Sequence, residues 1–262
     1  AAMAATGHAD TYSDLDLIVY YDRVPSPEVL AETPRELGAD QYRSTPWSDE
    51  SGEPDADGYG ERYHVGGVEC QVGLTSVGAL ERLIERVVVE LDLSEQWLKI
   101  VSGLHEGLPL HGEGLIEEWR RKSAVGDELQ RAMIAMRWKF FPWWYFQERL
   151  RTRDPTAWRH EVLAQSVYGI VGTLEALNRR YFSSFEFKRA SSFVSELELA
   201  PPDLAARLDA LFERDERSAT EELERLVAET QALVAARLPD LDLSLEWGGR
   251  STNPGERETS WD

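Results

Sequence analysis

Asp14 and Asp16 stand two residues apart among Leu15, Leu17, Ile18 and Val19, in the stretch TYSDLDLIVYYD at positions 11–22. The β-branched, aromatic and apolar residues from Asp14 to Tyr21 predict a strand, with turn formers on either side. Successive strand side chains point to opposite faces, so the two carboxylates share one face while Leu15, Leu17 and Val19 take the other. Two carboxylates held side by side repel each other unless water or a divalent cation screens them. Mg2+ takes hard oxygen ligands, commonly one or two carboxylates together with substrate phosphates. A solvated strand end is the plain alternative for an isolated Asp-x-Asp.

A third acid extends the pattern. RYHVGGVECQVGLTS (62–76) predicts a hairpin turning at Gly66-Gly67, with Val68, Cys70 and Val72 on a buried face and Glu69 on the opposite one. With the two strands as neighbours, Glu69 joins Asp14 and Asp16 as a third carboxylate. Such a set suits two-metal phosphoryl transfer, in which ions ~3.5–4 Å apart clamp the attacking and leaving oxygens. The alternative for Glu69 is an ordinary edge-strand glutamate.

The surrounding elements follow from periodicity. Pro27 to Leu37 reads as a short helix, and WSDESGEPDADGYGE (47–61) as a polar, acidic, solvated loop. After Ser76 the spacing of Leu80, Leu83, Ile84, Val87 and Val88 is helical. Ser94 caps a helix over 95–105 that Gly103 and Gly107 help to end. From Leu115 onward only helices are expected. Leu129, Met133, Met136 and Phe140 share one face, as do Leu163, Val167, Ile170, Leu174 and Leu177. Asp154-Pro155 reads as one helix start, and Pro201-Pro202-Asp203 opens a helix carrying Leu204, Leu208 and Leu211. Ser218 with Glu221 forms a capping box for a helix ended by Pro239. The expected fold class is α+β: a small mixed-sheet domain at 1–110, an all-helical bundle at 111–247 and a flexible tail at 248–262.

Composition narrows the chemistry. The chain has 262 residues, 42% of them apolar, nine tryptophans and a formal net charge of −20. That charge argues against a general nucleic-acid binder, because phosphate backbones select basic surfaces; an acidic cleft favours a cationic small substrate. Cys70 is the sole cysteine, which excludes an intrachain disulfide and a cysteine-rich zinc site. No run approaches the ~18 apolar residues of a membrane span, so a cytoplasmic protein with no membrane partner is expected. The five histidines lack zinc-protease spacing, and neither a Gly-x-Ser-x-Gly elbow nor a P-loop lysine motif is present.

TGHADTYSDLDLIVYYD (6–22) resembles the nucleotidyltransferase domain of the DNA polymerase beta superfamily, and is similar to its small bacterial members such as the aminoglycoside adenylyltransferases. The family signature is Gly-Ser, about ten intervening residues, then Ser-Asp-x-Asp on a strand. Asp14 and Asp16 match its two metal-binding aspartates, Ser13 the residue before them, and Glu69 its third acidic position, which also serves as general base. LHEGLPLHG (104–112) and LNRRYFSSFEFKR (177–189) fit the two-domain layout of those enzymes. The Gly-Ser pair itself is not found: Ala1, Ala2, Met3 and Ala4 stand in that region, and the family's preceding helix and first strand are expected upstream of the given sequence.

The resemblance implies an Mg2+-dependent transfer of a nucleoside monophosphate, AMP from ATP, onto a hydroxyl of a small, aminoglycoside-like acceptor. Asp14, Asp16 and Glu69 would be the catalytic and metal-binding set. Thr6, Gly7 and Ser13 would line the nucleotide, with Gly7 offering backbone N–H groups to phosphates. Lys188, one of only four lysines, would meet the triphosphate as a point charge; a solvated helix end is its alternative. FFPWWYF (140–146) offers either a stacking surface or bundle core around a Pro142 kink. Two other readings stay open: a catalytically degenerate protein that binds nucleotide or a partner, and an antitoxin-like enzyme that modifies a protein.

Overall fold

The computed structural model describes residues 13–48, 54–140, 156–183, 190–247 and 250–251. Thr6, Gly7, Lys188, the Asp154-Pro155 helix start and the FFPWWYF run after Phe140 lie outside them. The chain is α+β, with a four-stranded mixed sheet and a helical region. It divides into two compact units, residues 1–92 with 100–123 and residues 93–99 with 124–262.

The first unit is built on the sheet. β1 (Leu15–Tyr21), β2 (Asp40–Ser48), β3 (Pro54–Val65) and β4 (Val68–Ser76) lie in the order β1-β4-β3-β2. β1 runs parallel to β4, while β3 is antiparallel to both β4 and β2. Gly66 and Gly67 both hold positive φ, the tight hairpin turn that lets Val65 pair with Val68. The buried face differs from expectation at one end: Cys70, Val72 and Leu74 are buried, whereas Val68 beside the turn is 49% exposed. Leu15, Leu17 and Tyr21 of β1 pack against that row, together with Leu30 from α1 (Pro27–Leu30), which α2 (Glu32–Glu36) follows.

Much of the expected acidic loop at 47–61 is strand. β2 reaches Ser48 and β3 begins at Pro54, leaving only 49–53 undescribed within it. The physical reason is cross-strand cover. Trp47 lies over Gly58 and Gly60 of β3 and Gly73 of β4, and supplies the packing that glycines cannot. Period-2 alternation is hidden when the residues on one face have no side chain.

Helices complete the unit. Ser76 caps α3 (Val77–Val88) by accepting from the Ala79 N–H at 3.0 Å. α4 (Glu95–Glu106) carries Gly103 inside it, so Gly103 does not end the helix as expected. α5 (Glu113–Lys122) buries Trp119, which joins Leu80, Ile84 and Leu104 in a second core. Tyr20 of β1 meets Trp119 edge-on at 4.9 Å, and burial pushes its hydroxyl up to about 12.

In the second unit α6 (Asp127–Arg137) buries Leu129 and Met133 as its stripe predicts, and Gln130 donates to the carbonyls of Ala176 and Leu177. α7 (Thr156–Leu177) is buried along most of its circumference, Leu163, Val167, Ile170, Leu174 and Leu177 included. Gly169 and Gly172 bring it against Phe140 and Arg137, where a Cβ on Gly172 would come within 2.8 Å of the arginine stem. α8 (Ala190–Ser195) precedes α9 (Leu204–Leu211), which buries Leu204, Leu208 and Leu211 as expected.

The start of α10 (Glu216–Arg237) corrects another expectation. Asp215 is the cap, accepting from the N–H groups of Arg217 and Ser218, while the Ser218 hydroxyl donates to Asp215. Asp215, three residues ahead of Ser218, brings to the helix N-terminus a negative charge that a serine hydroxyl lacks. A two-residue hairpin of β5 (Glu246–Trp247) and β6 (Arg250–Ser251) also interrupts the all-helical expectation. Glu222 of α10 accepts from Arg207 at 2.7 Å, Arg225 at 2.6 Å and Arg214 at 3.2 Å, and Arg207 also grips Glu229.

Candidate functional site

The predicted acids come from β1 and β4, which are neighbours. Leu15 pairs with Cys70 and Asp16 with Gln71, and one residue before the first of these pairs Asp14 comes beside Glu69, both reached by the Gln71 amide. Period-2 alternation does the rest. Leu15 and Leu17 turn to the apolar core with Cys70 and Val72, so Asp14, Asp16, Glu69 and Gln71 turn to the other face.

Registers through the whole sheet lay that face out in rows. His64 of β3 stands between Asp40 and Glu69, and the row ends at Asp14. The next row runs Arg43, Arg62, Gln71, Asp16. The third runs Thr45, Gly60, Gly73, Ile18, with the Trp47 indole covering the two glycines. Acids, bases, an amide and an aromatic ring thus occupy one side of a single sheet.

Contacts tie the acids together through an amide. Gln71 Nε2 donates to Asp14 Oδ2 at 2.5 Å and to Glu69 Oε1 at 3.2 Å. Arg62 Nε lies 3.1 Å from Glu69 Oε1, and His64 Nε2 lies 3.9 Å from Glu69 Oε2. Asp14 and Glu69 are therefore brought to one point, with a donor between them, while Asp16 sits one row further along. Ser13 lies beside Asp14 in the chain, where β1 begins.

Among the described residues no group of three His, Cys, Asp or Glu side chains is arranged to hold a metal ion. The donor chemistry fits Mg2+ in a narrower sense. Asp14 and Asp16 offer hard oxygens from one strand face, which is enough for an ion that takes its remaining ligands from a nucleotide's phosphates and water. A metal held by protein side chains alone does not fit, because Gln71 presents N–H to both Asp14 and Glu69.

Sequence reasoning missed Gln71, Arg62, His64, Arg43 and Trp47. Gln71 was legible two residues after Glu69 on the same strand face, and Arg62 and His64 were legible as the polar alternation of the same hairpin. Arg43 and Trp47 had no such signal, because β2 itself was not predicted. The opposite face holds Glu61, which accepts from the Tyr42 hydroxyl at 2.8 Å; burial raises its carboxyl while that hydrogen bond opposes the rise. The basic cluster near Asn178 is engaged within its own unit. Arg179 pairs with Asp127 and Arg180 with Glu175 and Glu196, while the Asn178 amide donates to the Leu199 carbonyl.

No helix among the described residues is long and apolar enough to cross a membrane. No protein-family model matches the chain, and no curated protein matches it.

Proposed function

We propose that the chain is an Mg2+-dependent nucleotidyltransferase that moves AMP from ATP onto a hydroxyl of a small acceptor. The observation that carries this reading is the placement of Asp14, just before β1, beside Glu69 of the parallel strand β4, with Asp16 on the same face one row further along. Mg2+ bound with the triphosphate would neutralise its charge and polarise the phosphorus under attack. Asp14 and Asp16 would hold the ion; Glu69 would take the proton from the acceptor hydroxyl. The acceptor oxygen forms its bond to the α-phosphorus, the bond from that phosphorus to the bridging oxygen breaks, and pyrophosphate leaves. For Glu69 to act as base, its oxygens must exchange Arg62 and Gln71 for the acceptor.

The same contacts support a second reading. A carboxylate already neutralised by Arg62 and hydrogen-bonded by Gln71 suits a protein that binds nucleotide without turning it over. Transfer of label from [α-32P]ATP with Mg2+ to a panel of aminoglycosides and to cell lysate separates the two. Label transferred by wild type and lost in Asp16→Asn supports the enzyme. Nucleotide bound by calorimetry with no label transferred supports the binding protein and overturns the enzyme.

A further inference from the structure

Arg43 and Arg62 are directly opposed across the β2–β3 ladder, and they are the one like-charged pair in the described registers of the sheet. Like charges directly opposite each other destabilise a strand pair. Arg62 is compensated by Glu69 at 3.1 Å, whereas Arg43 has no ion pair among the described residues. With Glu69 set against Arg62, one of the two opposed positive charges is left over, in a chain whose net charge is −20.

Its place on the sheet says what would relieve it. Arg62 pairs with Gln71, and Gln71 pairs with Asp16, so Arg62 and Asp16 are two strand spacings apart, roughly 10 Å. One same-face step along the sheet, about 7 Å on, lies the glycine pair Gly60 and Gly73 under the indole of Trp47. That indole is half-buried, with one face laid on the sheet. Guanidinium forks match phosphate oxygens in geometry and charge, and an aromatic plane accepts a stacked ring whatever its hydrogen-bonding pattern.

We propose that Arg43 and Arg62 form a polyphosphate subsite on this face and that Trp47 is the platform for the ring of the same ligand, a nucleoside triphosphate. The proposal rests on the nucleotidyltransferase reading for the identity of the ligand, and assigns its tail and ring to side chains outside the acidic set. A polyphosphate lying across Arg43 and Arg62 cancels their repulsion. It also competes with Glu69 for Arg62, which frees the glutamate as nucleotide arrives.

The test is calorimetry on the full chain with two probes, inorganic tripolyphosphate and ATP, each with Mg2+ at low and moderate salt. Wild type is expected to bind both. Arg43→Gln should weaken both about ten-fold or more and flatten the salt dependence, and Arg43→Lys should recover part of the loss. Trp47→Leu should weaken ATP and leave tripolyphosphate unchanged. The subsite is overturned if Arg43→Gln binds both probes as wild type does, or if wild type binds neither. Tripolyphosphate held through Arg43 without any nucleotide transfer would sink the enzyme reading and leave the subsite standing. Nucleotide transfer by Arg43→Gln at wild-type rate and affinity would do the reverse.

Discussion

The indole of Trp47 occupies the space above Gly58: a Cβ built on that glycine would lie 2.7 Å from Cδ2 of the ring. Aromatic ring and bare backbone are matched surfaces, and even one methyl group displaces the ring. Gly58→Ala is therefore expected to destabilise the first unit by roughly 1–3 kcal/mol, the usual cost of overpacking. Urea denaturation compared with wild type checks it; an unchanged midpoint would mean that the ring shifts without loss.

Gln71 separates Asp14 from Glu69 by donating to both. Gln71→Glu replaces the donor with a third carboxylate, and the repulsion should cost about 1 kcal/mol without divalent cations. Added Mg2+ or Mn2+ should then raise the Tm of Gln71→Glu by more than it raises that of wild type. Equal shifts in the two proteins would show that the three positions do not converge.

Glu222 makes part of the second unit's stability depend on acid pH. Burial alone would raise its carboxyl, but hydrogen bonds and charge from Arg225 and Arg207 bring it down to about 2. A native-state value below the unfolded one means that the unfolded chain binds more protons, so stability rises with pH across this window. The contribution, on the order of 3 kcal/mol, is present above about pH 4.5 and is lost as pH falls toward 2. Glu222→Gln should be less stable at pH 7 and should lose less on acidification to pH 3, as read from thermal melts at both values.

His105 governs a milder window. Its Nε2 lies 2.9 Å from Ser123 Oγ, and the Ser123 hydroxyl donates to the Trp119 carbonyl, so the ring nitrogen is the donor. Burial lowers its affinity for a proton, with the Arg120 charge acting the same way and a hydrogen bond to the Ser123 backbone opposing. The unfolded chain takes up the proton first, so stability should fall as pH drops below 6.5. His105→Gln should remove that slope between pH 7.5 and 5, measured by urea midpoints across the range.

Strongly periodic elements were legible in the sequence. The stripes of α7, α9 and α10 lie on buried faces, and the turn at Gly66-Gly67 with the alternation after it placed β4. Asp14, Asp16 and Glu69 were legible as polar breaks in apolar strands. The segment 40–61 was not, because its glycines and acids conceal the alternation that Trp47 completes from another strand. Without β2 as a strand, Arg43 and Trp47 could not be put on the face that carries the acids. The cap at Asp215 was missed for a different reason: Ser218 and Glu221 satisfy the capping pattern by spacing, and only backbone geometry shows which residue leaves the helix.

The two-glycine connection between β3 and β4 has a consequence for chemistry as well as for folding. Because it fixes the pairing to the residue, it also decides which half of β4 looks outward. Lengthening it by a single amino acid would tend to present Cys70 and Val72 where Glu69 and Gln71 now stand, and to drive an acid and an amide into hydrocarbon. Two residues without side chains thus act as the phase setting of the whole ladder.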